Sequence, residues 1–526
     1  MRSAWPRLGW LAKYDFSARV LSVDHGPFVV VDPQARPRFV AAGVWDGPFA
    51  EGAFHRTEHV FGSGVVLGTD GIYFVPPATT LERLLYLRFG HELYVSNSLP
   101  LLLAAIGATL RDDYDYERVS ESSGYGIDDY IREIPVAHPV HRTVMQVVYD
   151  QLVVVGDLLG TRRRTQPHTF ASADSYLSAL TDIAKRVLEN ARDPLRRRPV
   201  RVVSNVSRGY DSPAITALVT NLCEVDAYCA ARSNTRLPAI VASRMEGDVV
   251  NDDGTDIAKI LGARPRHLEL DLGQLPADLE RWMWASWQLS PELVFWRMFT
   301  DAEAGDALTL WFAGHFGGIW DTHQDERFLR GLLPRSMPSG CSLTEARLRY
   351  GLIDCSLAFM FGEDAAAIHA LSTSDALAEW RLGNAYDRPI SRYVLERRGV
   401  PRSYFGYGKR AVAQDFDAPR GQALRAEMFA ATGWSGWKER SYRSVNLGLY
   451  YVQRAAAFIE ARGNRAKMLK LGQHATKNVL RRLGPNVDLR RATFVYCVNT
   501  LAAKLVQQSA VAVPLSSRAR SHDRQG

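Results

Sequence analysis

Alternating apolar and polar residues dominate the first 165 residues of the chain, in short runs separated by Gly, Pro, Asp and Asn. The runs include PFVVVD, GSGVVLG, GIYFVP and MQVVYDQLVVVG. An alternation with period two places successive side chains on opposite faces of a strand, so these runs predict half-buried β-strands. We therefore expect residues 1–165 to form a β-rich domain.

The hydrophobic period changes after this region. The segment YLSALTDIAKRVLENA, residues 176–191, repeats apolar residues at helical spacing and predicts an amphipathic helix. Strand-like and helix-like runs then alternate from VRVVSNV to ALTLWFAG, an order typical of a parallel sheet with connecting helices. The sequence thus predicts an α/β protein. A doubly wound parallel sheet is expected within residues 166–420, and a helical region with a disordered tail within 421–526.

One predicted strand leads into a predicted helix through SNVSRGYDSPA, residues 204–214. Ser212 is expected to cap this helix, and Pro213 suits its first turn. The N–H groups and the positive dipole end of a helix N-terminus can bind a phosphate, and Asp211 could hold a metal ion beside it. An ordinary strand-to-helix turn would show the same local pattern.

A second loop, GHFGG at residues 314–318, follows another predicted strand. Ligands of open α/β sheets bind beyond the carboxyl ends of the strands, so the two loops could line one crevice.

Composition narrows the class of protein. The chain has 526 residues, 46% of them hydrophobic, which is enough for several buried cores. Its net charge of +7 would suit an anionic partner, although a solvated basic face is the commoner explanation of such a charge. Because the sequence shows no nucleic-acid-reading module, we do not expect a nucleic-acid partner. The five cysteines are not paired as disulfide or zinc motifs, and no long apolar run is present. These features predict a reduced, cytoplasmic protein without a membrane span.

In the order strand, S-x-G-x-D-S and helix, the first turn resembles the pyrophosphate loop of the asparagine synthetase superfamily, usually written S-G-G-x-D-S. The resemblance continues in NDDGTDIAKILGARPRHLEL, in WFAGHFGGIWD, and from SLTEARLRYGLID to GKRAV. It covers about residues 170–415. HELYVSNSLPLLLAA is similar to the end of that family's glutaminase domain, which implies that residues 1–165 are a degenerate glutaminase-like domain. Arg2 stands where a working glutaminase of this kind needs a cysteine, so we expect no glutamine hydrolysis.

The resemblance implies a ligase that uses ATP and Mg²⁺ to adenylate the carboxylate of a small molecule or peptide and then transfers the acyl group to ammonia or another amine. The residues that it implies for ATP binding are Ser207, Arg208, Gly209, Asp211, Ser212 and Gly314. Asp211 is also the implied Mg²⁺ ligand. Arg208 replaces a family glycine, and its guanidinium could either add a phosphate contact or obstruct the pocket.

Lys409 or Arg410 could be the family's catalytic lysine, and we prefer Lys409 because a mobile point charge suits a developing transition state. A solvated loop charge would show the same pattern. The YDR sequence at 386–388 could support this loop, although Asp–Arg pairs more often stabilise a surface. Asp252 and Asp253 are similar to the family's acidic pair, although acidic residues before a helix often only cap it.

Gly318 stands where the family's second loop presents an aspartate to Mg²⁺, and Asp321 lies nearby in the sequence. Substitutions in both glycine-rich loops favour an alternative function, in which a catalytically degenerate member of the family binds a nucleotide or a protein partner without turnover.

Overall fold

The computed structural model describes residues 5–31, 39–164, 167–230, 252–268, 271–286, 291–324, 326–331, 333, 343–384, 386–406, 416, 418–434, 489–506 and 512–516.

The N-terminal region is β-rich, as predicted, and the structure shows that its strands pair antiparallel. Its strands are β1 (Trp10–Asp15), β2 (Val20–His25), β3 (Val30–Val31), β4 (Phe39–Trp45), β5 (Val60–Leu67), β6 (Ile72–Val75), β7 (Leu84–Phe89), β8 (Glu92–Ser96), β9 (Thr109–Leu110), β10 (Glu133–Ala137), β11 (Thr143–Val147), β12 (Gln151–Val155) and β13 (Leu158–Arg162). Helices α1 (Leu99–Ile106) and α2 (Tyr116–Glu121) interrupt them. One sheet contains β2-β1-β8-β7-β11-β10-β9 in that order, and the other contains β13-β12-β6-β5-β4-β3.

The two antiparallel sheets contact each other through buried side chains. In β1, Trp10, Ala12 and Tyr14 are buried while the residues between them are partly exposed, which is the alternation that the sequence predicts for a strand. The buried indole of Trp10 donates a hydrogen bond to Ser63 of β5 in the other sheet, over 3.0 Å. This contact joins the two sheets.

A parallel sheet follows. Its strands are β14 (Val200–Asn205), β15 (Asp226–Ala230), β16 (Arg264–Leu268), β17 (Leu308–Phe312) and β18 (Leu352–Asp354). The helices of this part are α3 (Ala173–Ala191), α4 (Asp211–Val219), α5 (Thr255–Ile260), α6 (Ala277–Ala285), α7 (Trp296–Glu303), α8 (Glu326–Leu329), α9 (Thr344–Tyr350), α10 (Ala365–Thr373) and α11 (Pro389–Arg397). The strand order is β16-β15-β14-β17-β18, and every pair is parallel. The prediction of a mixed α/β fold is confirmed.

The strand order has a consequence for ligand binding. From β14 the chain continues to β15 and β16 on one side, and it then returns to the other side of β14 with β17 and β18. The order of the sheet therefore reverses between β14 and β17. In open α/β sheets the crevice at such a switch point is the usual ligand site.

The C-terminal region contains the helices α12 (Gln422–Thr432) and α13 (Leu489–Val506), as expected, and also a strand, β19 (Ala512–Ser516). This strand pairs antiparallel with β2 and adds an eighth strand to one N-terminal sheet. This strand was not predicted, since residues 421–526 were expected to form helices and a disordered tail. Proline is tolerated on an edge strand, and β19 lies at the edge of its sheet. The predicted helix at LGLYYVQRAAAFIEARG and the tail beyond 516 lie outside the described residues.

Among the helices of the described segments, none combines the length and apolar character needed to cross a membrane.

Candidate functional site

The loops that follow β14 and β17 meet at the carboxyl ends of these neighbouring strands. A Cβ atom on Gly314 would lie 2.5 Å from the backbone nitrogen of Ser212, so only a glycine allows this approach. A Cβ atom on Gly317 would lie 2.4 Å from Cγ of Asp211. The two glycine-bearing loops therefore form one crevice at the switch point of the sheet.

Helix α4 begins at Asp211, and Tyr210 is its N-cap residue without a side-chain capping bond. The prediction that Ser212 caps this helix is wrong, because the helix starts one residue before it. Within the described residues, no acceptor receives a hydrogen bond from the N–H groups of Asp211 and Ser212. These N–H groups remain able to bind an anion at the positive end of the helix.

The loop between β14 and α4 is held in place by its own hydrogen bonds and by the segment before α5. Ser207 Oγ accepts a hydrogen bond from the N–H of Gly209 over 3.1 Å. Arg208 donates from its backbone N–H to Asp252 Oδ1 over 3.0 Å, and from Nε to the carbonyl oxygen of Asp253 over 3.2 Å. Arg208 is thus attached to the backbone before α5.

The acidic pair contacts protein groups. Asp252 is buried and accepts the backbone N–H of Arg208 described above. Asp253 Oδ1 accepts hydrogen bonds from the N–H of Thr255 over 2.9 Å and from its hydroxyl over 2.5 Å. Asp253 precedes the N-cap residue Gly254 and binds the first residue of α5, while Asp252 orders the loop that carries Ser207 and Gly209.

Arg388, which the sequence suggested only as part of a YDR support for the lysine-bearing loop, lies between two carboxylates of the crevice. Its Nη1 donates a short hydrogen bond to Asp211 Oδ1, and its Nε lies 3.5 Å from Asp321 Oδ2. The Arg388 side chain is only 6% exposed. Burial disfavours its charge, but Asp211, Tyr386 and Asp321 outweigh burial, so the pKa of Arg388 lies above its ordinary value. The guanidinium is therefore a permanent cation beside the start of α4.

The contacts of Arg388 with Asp211 and Asp321 decide whether these carboxylates could bind the implied Mg²⁺ ion. Mg²⁺ binds oxygen ligands in near-octahedral geometry, usually one or two carboxylates plus phosphates and water. Asp211 and Asp321 both face the Arg388 guanidinium, and no group of three or more His, Cys, Asp or Glu side chains within the described residues could hold a metal. The residues as arranged do not fit a metal ion held by Asp211, since such an ion would have to displace Arg388.

Asp387 fixes the position of Arg388. Its Oδ2 accepts the N–H groups of Leu382 and Gly383 over 2.9 and 2.8 Å. Its backbone carbonyl accepts the N–H of Thr322 over 3.0 Å, which ties this segment to the chain just after GHFGG. The YDR sequence is therefore part of the crevice and not a surface pair.

The chain segment before the expected catalytic lysine is attached to the same loop. Gly406 donates its N–H to the carbonyl of Arg208 over 3.0 Å. Its φ of +78° suits glycine, and a Cβ atom there would lie 2.4 Å from the ring of Tyr210. The Tyr210 hydroxyl accepts a hydrogen bond from buried Arg392 over 2.6 Å. Lys409 and Arg410 lie outside the described residues.

A histidine and an aspartate that were not predicted as a pair meet after the end of β17 and at the end of β18. His315 Nδ1 is 3.1 Å from Asp354 Oδ2 and 3.2 Å from Ser356 Oγ. The sequence signal was only a histidine directly after Gly314. Its partner is 39 residues away, so the pair could not be found by local spacing.

The fold and the crevice define a class of α/β proteins with a candidate anion site at the switch point of a parallel sheet. In this chain, the site combines the N–H groups at the start of α4 with the buried side chain of Arg388. No protein-family model matches the chain, and a search of curated proteins finds no match. Membership of the asparagine synthetase superfamily stays a prediction from the motifs.

Proposed function

We propose that the chain is an asparagine synthetase-like ligase that binds ATP, adenylates a carboxylate and transfers the acyl group to ammonia or another amine. The observation that carries the proposal is the meeting of two glycine-bearing loops at the switch point between β14 and β17. A nucleotide phosphate is the anion that most often binds where a strand leads through a glycine-bearing loop into a helix.

The described residues supply several phosphate contacts in this proposal. The N–H groups of Asp211 and Ser212 lie at the first turn of α4. Ser207 Oγ accepts from Gly209, which leaves its own hydrogen for a phosphate oxygen. Arg388 adds a fixed positive charge at the same helix end. Preorganised donors of this kind stabilise the charge that gathers on a leaving pyrophosphate.

The catalytic lysine, the domain assignments and the cofactors of the proposal rest on the resemblance. Lys409, three residues after Gly406, is the proposed catalytic lysine. The region up to residue 165 is the proposed degenerate glutaminase-like domain, and the parallel sheet belongs to a doubly wound synthetase domain. ATP is the implied cofactor; the resemblance also implies Mg²⁺, which the pairing of Asp211 with Arg388 does not fit. We place the reaction in the cytoplasm, and none of the four described cysteines forms a disulfide.

A specific observation favours the alternative of a degenerate member that binds a nucleotide or a partner without turnover. The carboxylate expected to face a metal is instead bound by Arg388, and Gly318 carries no carboxylate. A binding site without turnover would still bind pyrophosphate but would not exchange it into ATP.

ATP–pyrophosphate exchange against pooled carboxylate metabolites separates the two functions, because exchange reports adenylation without knowledge of the amine. The ligase predicts exchange with at least one pool, and Ser207→Ala should lower it about 10-fold or more, since a hydrogen bond to a charged group contributes about 1.5–3 kcal/mol. Ser178→Ala is the matched control, because Ser178 is exposed on α3. Pyrophosphate binding without any exchange would favour the alternative.

A further inference from the structure

Beside the candidate nucleotide crevice, the partly exposed His315 forms an acid–imidazole pair with the buried Asp354. Asp354 is the last residue of β18, and Ser356 follows it; both are buried. The Ser356 hydroxyl donates a short hydrogen bond to Asp354 Oδ1, while Oδ2 faces Nδ1 of His315. The indole of Trp311 packs edge-on against the imidazole, with ring centroids 5.4 Å apart. The ring of His315 is therefore held on two sides.

The charge of Asp354 determines the tautomer of the neutral imidazole. Burial disfavours its carboxylate, but the interactions with His315, Arg347 and Ser356 outweigh burial, so the pKa of Asp354 lies below its ordinary value. An ionised carboxylate can only accept a hydrogen bond. The hydrogen-bond network thus assigns the proton of the neutral ring to Nδ1 and the lone pair to Nε2.

Nε2 is accessible. The His315 side chain is 17% exposed. Its Nε2 accepts no hydrogen bond from a described residue and is not among the buried polar atoms that lack a partner. Gly314, the preceding residue, packs against the backbone of Ser212 at the start of α4. The phosphates of the nucleotide would lie where Gly314 contacts Ser212. His315, whose Nε2 carries the free lone pair, is the next residue after Gly314.

We propose that His315 is the general base that removes a proton from the amine as it attacks the acyl-adenylate. This role rests on the proposed ligase function. The nitrogen lone pair of a neutral amine forms the new C–N bond, one N–H proton passes to Nε2, and the C–O bond to the phosphate breaks with its electron pair on AMP. The products are the amide, AMP and a protonated His315, which returns its proton to solvent through accessible Nε2. Asp354 and Ser356 are positioning residues.

A purely structural role would tie the ends of β17 and β18 together. The two roles differ in which half of the reaction they affect. Adenylation needs no proton transfer from the amine, so a base is required only in the second step. A general base contributes about 10²–10⁴-fold to a proton-transfer step.

The first test compares the two half-reactions in His315→Gln, with His267→Gln as the control because His267 is exposed on the edge strand β16. In His315→Gln, we expect carboxylate-dependent ATP–pyrophosphate exchange to stay within roughly 3-fold of wild type. Amide formation from an alkylamine should fall about 10²-fold or more. With hydroxylamine the loss should be less than 10-fold, because this weaker base forms an adduct whose N–H is more acidic and passes its proton to water more readily.

The second test asks whether Asp354 sets the tautomer. In full-length protein labelled with ¹⁵N-histidine, the His315 signals, assigned by their absence in His315→Gln, should show a protonated Nδ1 and an unprotonated Nε2. Asp354→Asn should alter this pattern. A wild-type ring with its proton on Nε2 would overturn the inference.

The outcomes of the kinetic test are distinct. Exchange that persists with unchanged amide formation in His315→Gln overturns the base role and leaves the ligase function standing. A loss of exchange equal to the loss of amide formation assigns His315 a structural role. Absence of exchange in the wild type with every carboxylate pool overturns the ligase function and the base role together.

Discussion

Arg388→Gln should make pyrophosphate binding strongly dependent on Mg²⁺. In the wild type, Asp211, Asp321 and Arg388 together carry a net formal charge of −1. Glutamine leaves −2 beside the start of α4 and releases Asp211 from its partner. The variant should therefore repel a bare anion more strongly and accept a metal ion more readily.

The structure sets the size of the effect. A unit charge about 5 Å from a phosphate at an effective dielectric constant of about 20 is worth about 3 kcal/mol. The carboxylates of Asp211 and Asp321 are 25% and 15% exposed, so water and salt screen part of this interaction. We expect about 1–2 kcal/mol, which is a loss of about 5- to 30-fold in pyrophosphate affinity without a divalent cation.

Isothermal titration with sodium pyrophosphate, in EDTA and in saturating Mg²⁺, measures this loss directly. The wild type should change little between the two conditions, and Arg388→Gln should recover most of its affinity in Mg²⁺. Arg388→Lys retains the charge and should keep most of the affinity in EDTA. Arg397→Gln is the control, because Arg397 lies on the exposed side of α11. Thermal denaturation of each variant checks that it is folded.

Equal pyrophosphate affinity of wild type and Arg388→Gln in EDTA would refute the reasoning, since the guanidinium would then contribute nothing to the anion. Gly318→Asp gives an independent check. A Cβ atom at Gly318 would lie 3.7 Å from Arg388 Nη2, so the new carboxylate should pair with Arg388. It should weaken pyrophosphate binding in EDTA instead of restoring a metal site.

Three further predictions concern the crevice and the core. Gly314→Ala places a Cβ 2.5 Å from the Ser212 nitrogen, so pyrophosphate binding and the melting temperature should both fall, whereas Gly160→Ala, with open space around its Cβ, should change neither. Burial raises the pKa of Glu345 to about 7 from 4.5, so the free energy of unfolding should fall as pH rises from about 4.5 to 7. The fall should amount to at most ~3 kcal/mol, and denaturant titrations should show a smaller fall in Glu345→Gln; equal pH dependence would contradict this. Lys409→Ala should lower kcat with little change in KM for ATP if the lysine acts only on the transition state, and an unchanged kcat would transfer the role to Arg410 or dismiss it.

Local pattern determined the secondary structure of this chain to a large extent. The apolar residues repeat with period two in β1 and with helical period in α3. Each repeat can be recognised from neighbouring residues alone, because it follows from which side of that one element faces the core. The helix predicted from residue 176 begins at Ala173, because Ser172 and Ser175 form a reciprocal cap that extends it by one turn. The order of strands and helices likewise indicated a parallel sheet before any contact was known.

The chemistry of the crevice depended on contacts between distant residues. Arg388 is 177 residues from Asp211, and its burial between two carboxylates follows from the packing of α11 against α4 and from the hydrogen bonds of Asp387. The sequence suggested Arg388 only as a possible support of the lysine-bearing loop, because neither of its carboxylate partners lies near it in the chain. The pairing of β19 with β2 has the same origin, since an open sheet edge in one region selects a short strand from the other end of the chain. Hydrophobic period is a property of a segment, whereas ion pairs and strand partners are decided by which surfaces meet when the segments pack.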